Sequence, residues 1–505
     1  MTSAETAAIT AVSFDKRYPE GEKKMTINRR FLAAIIALSA AMTFTFSCSS
    51  KKSSSEAPAP TDEWKGEDDI ALDSSVINDL GLTKTSKGAD PDMTITWLAD
   101  YDLNPSGNND RSVALSIFED YYGGQINYVH TSVEDKFTTL AAMINAGDTV
   151  DMFPYEWSAV PSGVLRDQYQ PLDPYFESME MDSDLWADMS DVIDMFSYNG
   201  QHYVVPYSIS DPLIITYSRK MMQEEGLDDP YELYKSGKWD WDSFMSMMEK
   251  FKANQPEGQN RYGINGWFGQ AIIQSTGHTV VNYDNGRFTN NINDPEIEKA
   301  EILMQEIAQK QLYRSDWVGH FPEDRSTLFF AMGDWALGSS NAYNEGMDLM
   351  TVPFPKAPSA DKYYLSCNYG ARMLVKNSAH GQAVANYIKC ERLAATEPVF
   401  RDAAKEKALI EDRSASGVLR SAVTEEQYDA VQSYMDPTVT SPVFDFGYGM
   451  GDNMNGSGDY TFSTRGVMDN ITKTLLEGSE EVDSWAKLRD SLTGIIDKEI
   501  AQYNS

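Results

Sequence analysis

The sequence predicts an α/β protein built on a parallel sheet, and three observations predict it. Short apolar runs alternate with helix-period patterns from Met93 onward. Glycines stand where those helices should stop, and serine or Asp-Pro where they should start. The apolar runs are five to seven residues long, which suits strands rather than helices.

The elements follow in order. Met93 to Ala99 (MTITWLA) reads as the first strand, with Trp97 in its core-facing part, and the loop DYDLNPSGNND leads to an apolar helix pattern over Val113 to Tyr122. Gly123-Gly124 breaks that helix before a second strand, Gln125 to Val129. Phe137, Leu140, Ala141 and Ile144 share one helical face, and Gly147 takes the position that ends such a helix. A third short strand ends at Asp151-Met152-Phe153, and the loop after it carries Tyr155-Glu156-Trp157.

The middle of the chain repeats this grammar. Pro212 to Tyr217 (PLIITY) is a strand, and Ser218 caps a helix that ends at Gly226. Trp239 to Asp242 leads a helix with Phe244, Met247, Met248 and Phe251 on one stripe. Asp294-Pro295 is a cap followed by proline at the first helical position, opening a helix with Ile297, Ala300, Met304 and Ile307 inward. Two helices follow Val467, the last with Trp485, Leu488, Leu492, Ile495 and Ile496 on one face and Trp485 in the core. No internal repeat is present.

The N-terminal part has a different character. Arg29 and Arg30 precede Phe31 to Phe46 (FLAAIIALSAAMTFTF), the charge-then-apolar order of an export signal. That run is shorter than the about 20 residues needed to span a bilayer, and nothing later is long and apolar enough. Met25 would start a signal of ordinary length, so 1–24 reads as a start-site extension and 25–47 as the signal peptide. Cys48 follows at once, at Thr45-Phe46-Ser47-Cys48, which resembles the processing site of bacterial lipoproteins, where the cysteine thiol is acylated. Thr45 and Phe46 depart from the aliphatic and small residues of that pattern; the alternative is an ordinary cleaved signal with an incidental cysteine. Ser, Lys, Ala and Pro then dominate, a composition that buries too little to fold, so 48–92 is expected to be a flexible tether.

Composition bounds the body. Roughly 410 to 440 residues remain, enough for two domains. With 77 acidic against 42 basic side chains the net charge is -35, a field that excludes nucleic acid as a partner. Cys367 and Cys390 either pair in an oxidising compartment or stand as two buried thiols. HExxH, G-x-S-x-G and Walker sequences are absent, and the five histidines lack metal-ligand spacing, so neither a metal nor a cofactor is implied. Asp100, Asp102 and Asn104 mimic the start of a calcium loop, but Pro105 and Arg111 stand where it needs glycine and glutamate. GYGMG, Gly447 to Gly451, reads as a flexible rim loop rather than a dinucleotide fingerprint.

Taken together, NAGDTVDMF (Asn145 to Phe153), GQHYVVPYS (Gly200 to Ser208), IITYSRKMMQEEGL, WDWDSFMSMMEKF, TLFFAMGDWALGSS (Thr327 to Ser340) and NYGARMLVKNSAHGQAVANYI resemble, in order and spacing, the sugar-binding group of extracellular solute-binding proteins of ABC importers, which includes the maltose-binding protein. The resemblance spans Met93 to Tyr503; Trp335 replaces a smaller residue, and Asp436 to Thr464 match nothing. It implies a two-lobed periplasmic-binding-protein-like fold with a hinge and a central ligand cleft. Crossings are expected near Tyr207 to Asp211 and near Cys367 to Tyr369, with 93–207 and about 368–435 in the first lobe and 208–367 and about 436–505 in the second. It further implies that TLFFAMGDWALGSS is a helix, a glycine and a strand lining the cleft.

The same resemblance implies the site residues. Tyr155, with Glu156 and Trp157 beside it, stands at a first-lobe aromatic position; Trp267 stands before a second-lobe helix, and Tyr343 after the GDWALGSS segment. Asp102 lies in the first strand-helix loop, and Asp211 and Tyr369 lie at the crossings. Sugar rings stack on flat aromatic faces while carboxylates pair with hydroxyls, so these residue types suit a carbohydrate, an oligosaccharide above all. Implied partners are ABC permease subunits and a membrane reached through the lipid anchor, with the body a monomer at the cell surface or in the periplasm. Two alternatives stay open: a surface-anchored carbohydrate-active enzyme using two carboxylates such as Glu156 and Asp211, or a glycan-binding lipoprotein with no transport role.

Overall fold

The computed structural model describes residues 81–106, 111–318, 321–322, 325–342, 346–409, 412–413, 419–420, 422–456 and 462–504. The signal segment, Cys48 and most of the tether lie outside the described residues, as does Tyr343.

Two sheets organise the chain. In the first, Thr94–Ala99 pairs in parallel with Gln125–His130, from Thr94↔Gln125 to Ala99↔His130, and with Met152–Pro154 on its other side. The edge beyond is Arg372–Leu374, which runs antiparallel to Met152–Pro154. In the second sheet the order is Tyr313–Arg314, Tyr262–Gly266, Thr327–Gly333, Leu213–Ser218, Leu349–Pro353. Leu213–Ser218 opposes both of its neighbours. Each sheet thus carries one strand against the parallel direction, where the sequence suggested parallel order throughout.

Local chemistry explains most elements. Ser112 and Ser218 accept backbone N–H bonds at the starts of Val113–Tyr121 and Arg219–Glu225. Gly147 and Gly226 end their helices at φ 76 and 64, where a Cβ is costly. Asp294 caps Pro295–Gln309. Trp97 is fully buried and Trp485 nearly so, as expected. Ile495, by contrast, is 41% exposed, so the inward stripe of Trp485–Tyr503 is Trp485, Leu488, Leu492 and Ile496.

Three expectations are corrected. Thr327–Gly333 is a strand and Trp335–Asn341 the helix, the reverse of the expected order. All seven strand residues are buried, so the segment reads as a continuous apolar run because it is central in its sheet. GYGMG is not a mobile rim: Phe446–Gly449 is a buried turn. Asp445 pins it, its carboxylate accepting the N–H groups of Val280 at 2.5 Å, Val281 at 3.2 Å and Gly447 at 2.8 Å. Helix Glu425–Tyr434, placed with the first lobe above, lies on the second sheet. There the Tyr434 hydroxyl donates to Thr351 O at 2.9 Å and Gln427 Nε2 to Leu349 O at 2.7 Å.

Between the sheets the chain passes through a ribbon: Ser208–Ser210 pairs antiparallel with Asn368–Gly370. Gly370 precedes Arg372, which pairs with Pro154, and Ser210 precedes Leu213, which pairs with Gly333. Both sheets therefore present the carboxyl ends of their parallel strands to the ribbon, the usual position for ligand sites in open α/β sheets.

Candidate functional site

On the second sheet, three tryptophans meet at the strand ends. Trp267 follows strand Tyr262–Gly266, Trp335 follows Thr327–Gly333 by two residues, and Trp317 follows Tyr313–Arg314. The Trp267 ring centre lies 6.3 Å from that of Trp317 and 6.2 Å from that of Trp335. Trp317 is 54% exposed and Trp335 36%, so these two rings offer apolar faces to solvent, while Trp267 is partly buried and packs against the core. Glycine at 333 leaves room for the Trp335 ring as placed, because a Cβ there would overlap its indole nitrogen.

Carboxylates stand next to the rings. Asp334 lies between Gly333 and Trp335, and its N–H donates to Pro212 O at 3.2 Å. Burial first, and then the nearby Asp211 carboxylate, push the Asp334 carboxyl up to about 7, against a bond from the Trp335 N–H that pulls it down. Asp211 sits where the ribbon enters the sheet, at φ 46, and accepts from Asn368 Nδ2 at 3.4 Å.

The first sheet contributes differently. Tyr155 follows Met152–Pro154, and its ring meets Phe196 edge-on at 5.8 Å. Tyr369, in the ribbon, packs on the same phenylalanine at 4.9 Å. Both hydroxyls are buried, that of Tyr369 beside the Cys367 thiol, and burial raises both far above the usual tyrosine range. Glu156 accepts from the buried Lys136 ammonium, which also lies 3.7 Å from Asp100. A lysine thus already supplies the positive charge beside Asp100, one member of the calcium-like loop. Asp102 is exposed and accepts both the N–H and the side-chain amide of Asn104 at 2.9 Å, which shapes its own turn. Trp157 is stacked edgewise on Tyr448 at 4.6 Å.

The structure thus brings Trp267 and Asp211 to the same strand ends, and Tyr155 and Tyr369 to one phenylalanine beside the ribbon. Glu156, Trp157 and Asp102 are engaged by neighbours within the chain. Sequence reasoning missed Trp317, Asp334 and Lys136, and noted Trp335 only as a departure; a large residue straight after Gly333-Asp334 was the available signal. Cys367 and Cys390 are free buried thiols rather than a disulfide.

Two α/β sheets joined by a paired ribbon, with aromatic and acidic side chains at the facing strand ends, define a two-lobed solute receptor. The chain belongs to the bacterial extracellular solute-binding protein family, whose model matches residues 114–390. Similar folds include the galacto-N-biose-/lacto-N-biose I-binding protein of the ABC transporter from Bifidobacterium longum, at 13% identity and a TM-score of 0.55, covering 83% of this chain and 99% of that one. The sugar-binding protein MalE from Xanthomonas citri is 14% identical with a TM-score of 0.56, over 81% and 98% of the two chains. The GacH receptor of Streptomyces glaucescens is 12% identical with a TM-score of 0.52, over 81% and 99%. At such identities the likeness is one of fold. No curated protein matches this chain.

Proposed function

We propose that the protein is the substrate-binding component of an ABC importer and that it binds a carbohydrate, an oligosaccharide in particular, between its lobes. The observation that carries this reading is the group of three indoles at the second sheet's strand ends, Trp317 and Trp335 exposed and Trp267 partly buried between them. Sugar rings have apolar C–H faces that stack on such surfaces, while Asp211 and Asp334 beside them accept from hydroxyls. Support comes also from the proteins of similar fold, which bind lacto-N-biose and acarbose among other sugars. In this reading the protein is a binder and not an enzyme, and it hands its ligand to permease subunits. Among the described residues no helix is long and apolar enough to cross a membrane. Anchoring is assigned to an acylated Cys48; Cys48→Ala then moves the protein from the membrane to the soluble fraction, and unchanged partitioning would refute the anchor.

Calorimetry against a panel of oligosaccharides tests the ligand assignment. Trp335→Ala and Trp267→Ala should each weaken sugar binding by about 1 to 3 kcal/mol, roughly ten- to two-hundred-fold, with little change in ligand-free melting. Equal affinity in wild type and both variants, or no sugar bound at all, would sink this reading.

A further inference from the structure

The segment that matched nothing in the sequence makes an excursion between the lobes. It starts on the second lobe, where Ser441–Pro442 pairs with Tyr364–Leu365 and Gln274 Nε2 donates to Val443 O at 3.3 Å. Phe444 then packs on Phe196 at 4.3 Å, close to the ribbon residue Tyr369. Tyr448 reaches Trp157, and the Ser162 hydroxyl donates to Gly449 O at 2.5 Å. Glycine is needed at 449, because a Cβ there would overlap the carbonyl oxygens of Val160 and Trp157. The Tyr503 hydroxyl, from the last helix, lies 2.8 Å from Ser162 Oγ and donates to Met450 O at 3.0 Å. Afterwards Val467–Glu477 returns to the second lobe, lying so close to Gly269 that a Cβ there would overlap Thr472 O.

The loop gripped at Trp157 to Ser162 directly follows Tyr155-Glu156 and is not itself part of the ribbon, whose two strands pair with each other. Rotating the lobes about Ser208–Ser210 and Asn368–Gly370 must therefore carry this contact along or break it. Alongside it, Asn199 N–H donates to the Tyr283 hydroxyl at 2.8 Å, a second contact of the same kind. We propose that residues 441–450 are a latch that holds the first-lobe loop 157–162 and fixes the angle between the lobes before any ligand arrives. This goes beyond the carbohydrate reading and does not depend on it.

Spin labels at Asp148→Cys and Gln309→Cys, both exposed positions on different lobes, read the angle in a Cys48→Ser background, since the two native thiols left are buried. The parent should give one narrow distance distribution. Gly449→Ala, which forces the backbones apart, and Tyr448→Ala, which removes the ring on Trp157, should each displace and broaden it. If Gly449→Ala fails to fold by circular dichroism, Tyr448→Ala decides alone. A displaced, broadened distribution in either folded variant supports the latch. Folded variants with the parent's distribution, or a parent that is already broad, would overturn it.

Discussion

Glu301 offers the sharpest test of the packing. It lies on helix Pro295–Gln309 with no exposed surface, and neither carboxylate oxygen has a hydrogen-bond partner among the described residues. Burial alone raises its carboxyl well above the usual 4.5. The native state therefore keeps a proton that the unfolded chain releases above 4.5, and stability falls as pH rises from there to the folded value. The slope is about 1.4 kcal/mol for each pH unit. Glu301→Gln keeps the shape and removes the titration. Urea unfolding of both proteins at about pH 5, 6 and 7 gives the difference in stability at each pH, in which all other titrating groups cancel. That difference should move in favour of the glutamine variant as pH rises, at most by about 1.4 kcal/mol per unit, and should be smallest near the ordinary glutamate value. A difference that stays flat across this range would show that Glu301 is ionised and solvated in the native protein, and the packing described here would be wrong.

Two further outcomes are expected. Asp334, with its carboxyl at about 7, is neutral below that pH and an acceptor above it, so sugar affinity should rise between pH 6 and 8 and Asp334→Asn should flatten the profile; calorimetry across that range checks it, and a rise that survives the substitution assigns it elsewhere. Burial pushes the Cys367 thiol up to about 12 and raises Cys390 as well, so a thiol reagent at about pH 8 should modify neither until denaturant is added, as absorbance titration would show.

Much of the fold was legible because its signals are local. The cap at Ser218 and the stop at Gly226 lie within one turn of the helix they bound, and the first-sheet strands read as short apolar runs between glycines. For Thr327–Gly333 the resemblance implied a helix, and its own pattern could not correct that, because a strand buried on both faces shows no alternation. GYGMG failed because what orders it is the Asp445 bond to Val280 and Val281, more than 160 residues earlier. The site was half legible for the same reason. Trp267 sits at a recognisable strand-to-helix junction, whereas Trp317 and Trp335 join it only through the pairing of three strands, which no local pattern reports.

The edge strand Arg372–Leu374 has a consequence for how the molecule is made. More than two hundred residues separate it from its partner Met152–Pro154, and the whole second sheet lies in that interval. At about 5 to 20 residues per second, the first sheet waits roughly 10 to 40 s for its last strand. During that time the edge at Met152–Pro154 is open to pairing with another chain, while the strands from Leu213 to Pro353 have all their partners as soon as Pro353 is made. Birth order thus inverts chain order for the two sheets: the sheet begun second has all its strands first. Limited proteolysis of chains truncated before Arg372 should find the second sheet protected and the first one cut, and the reverse pattern would contradict this sequence of events.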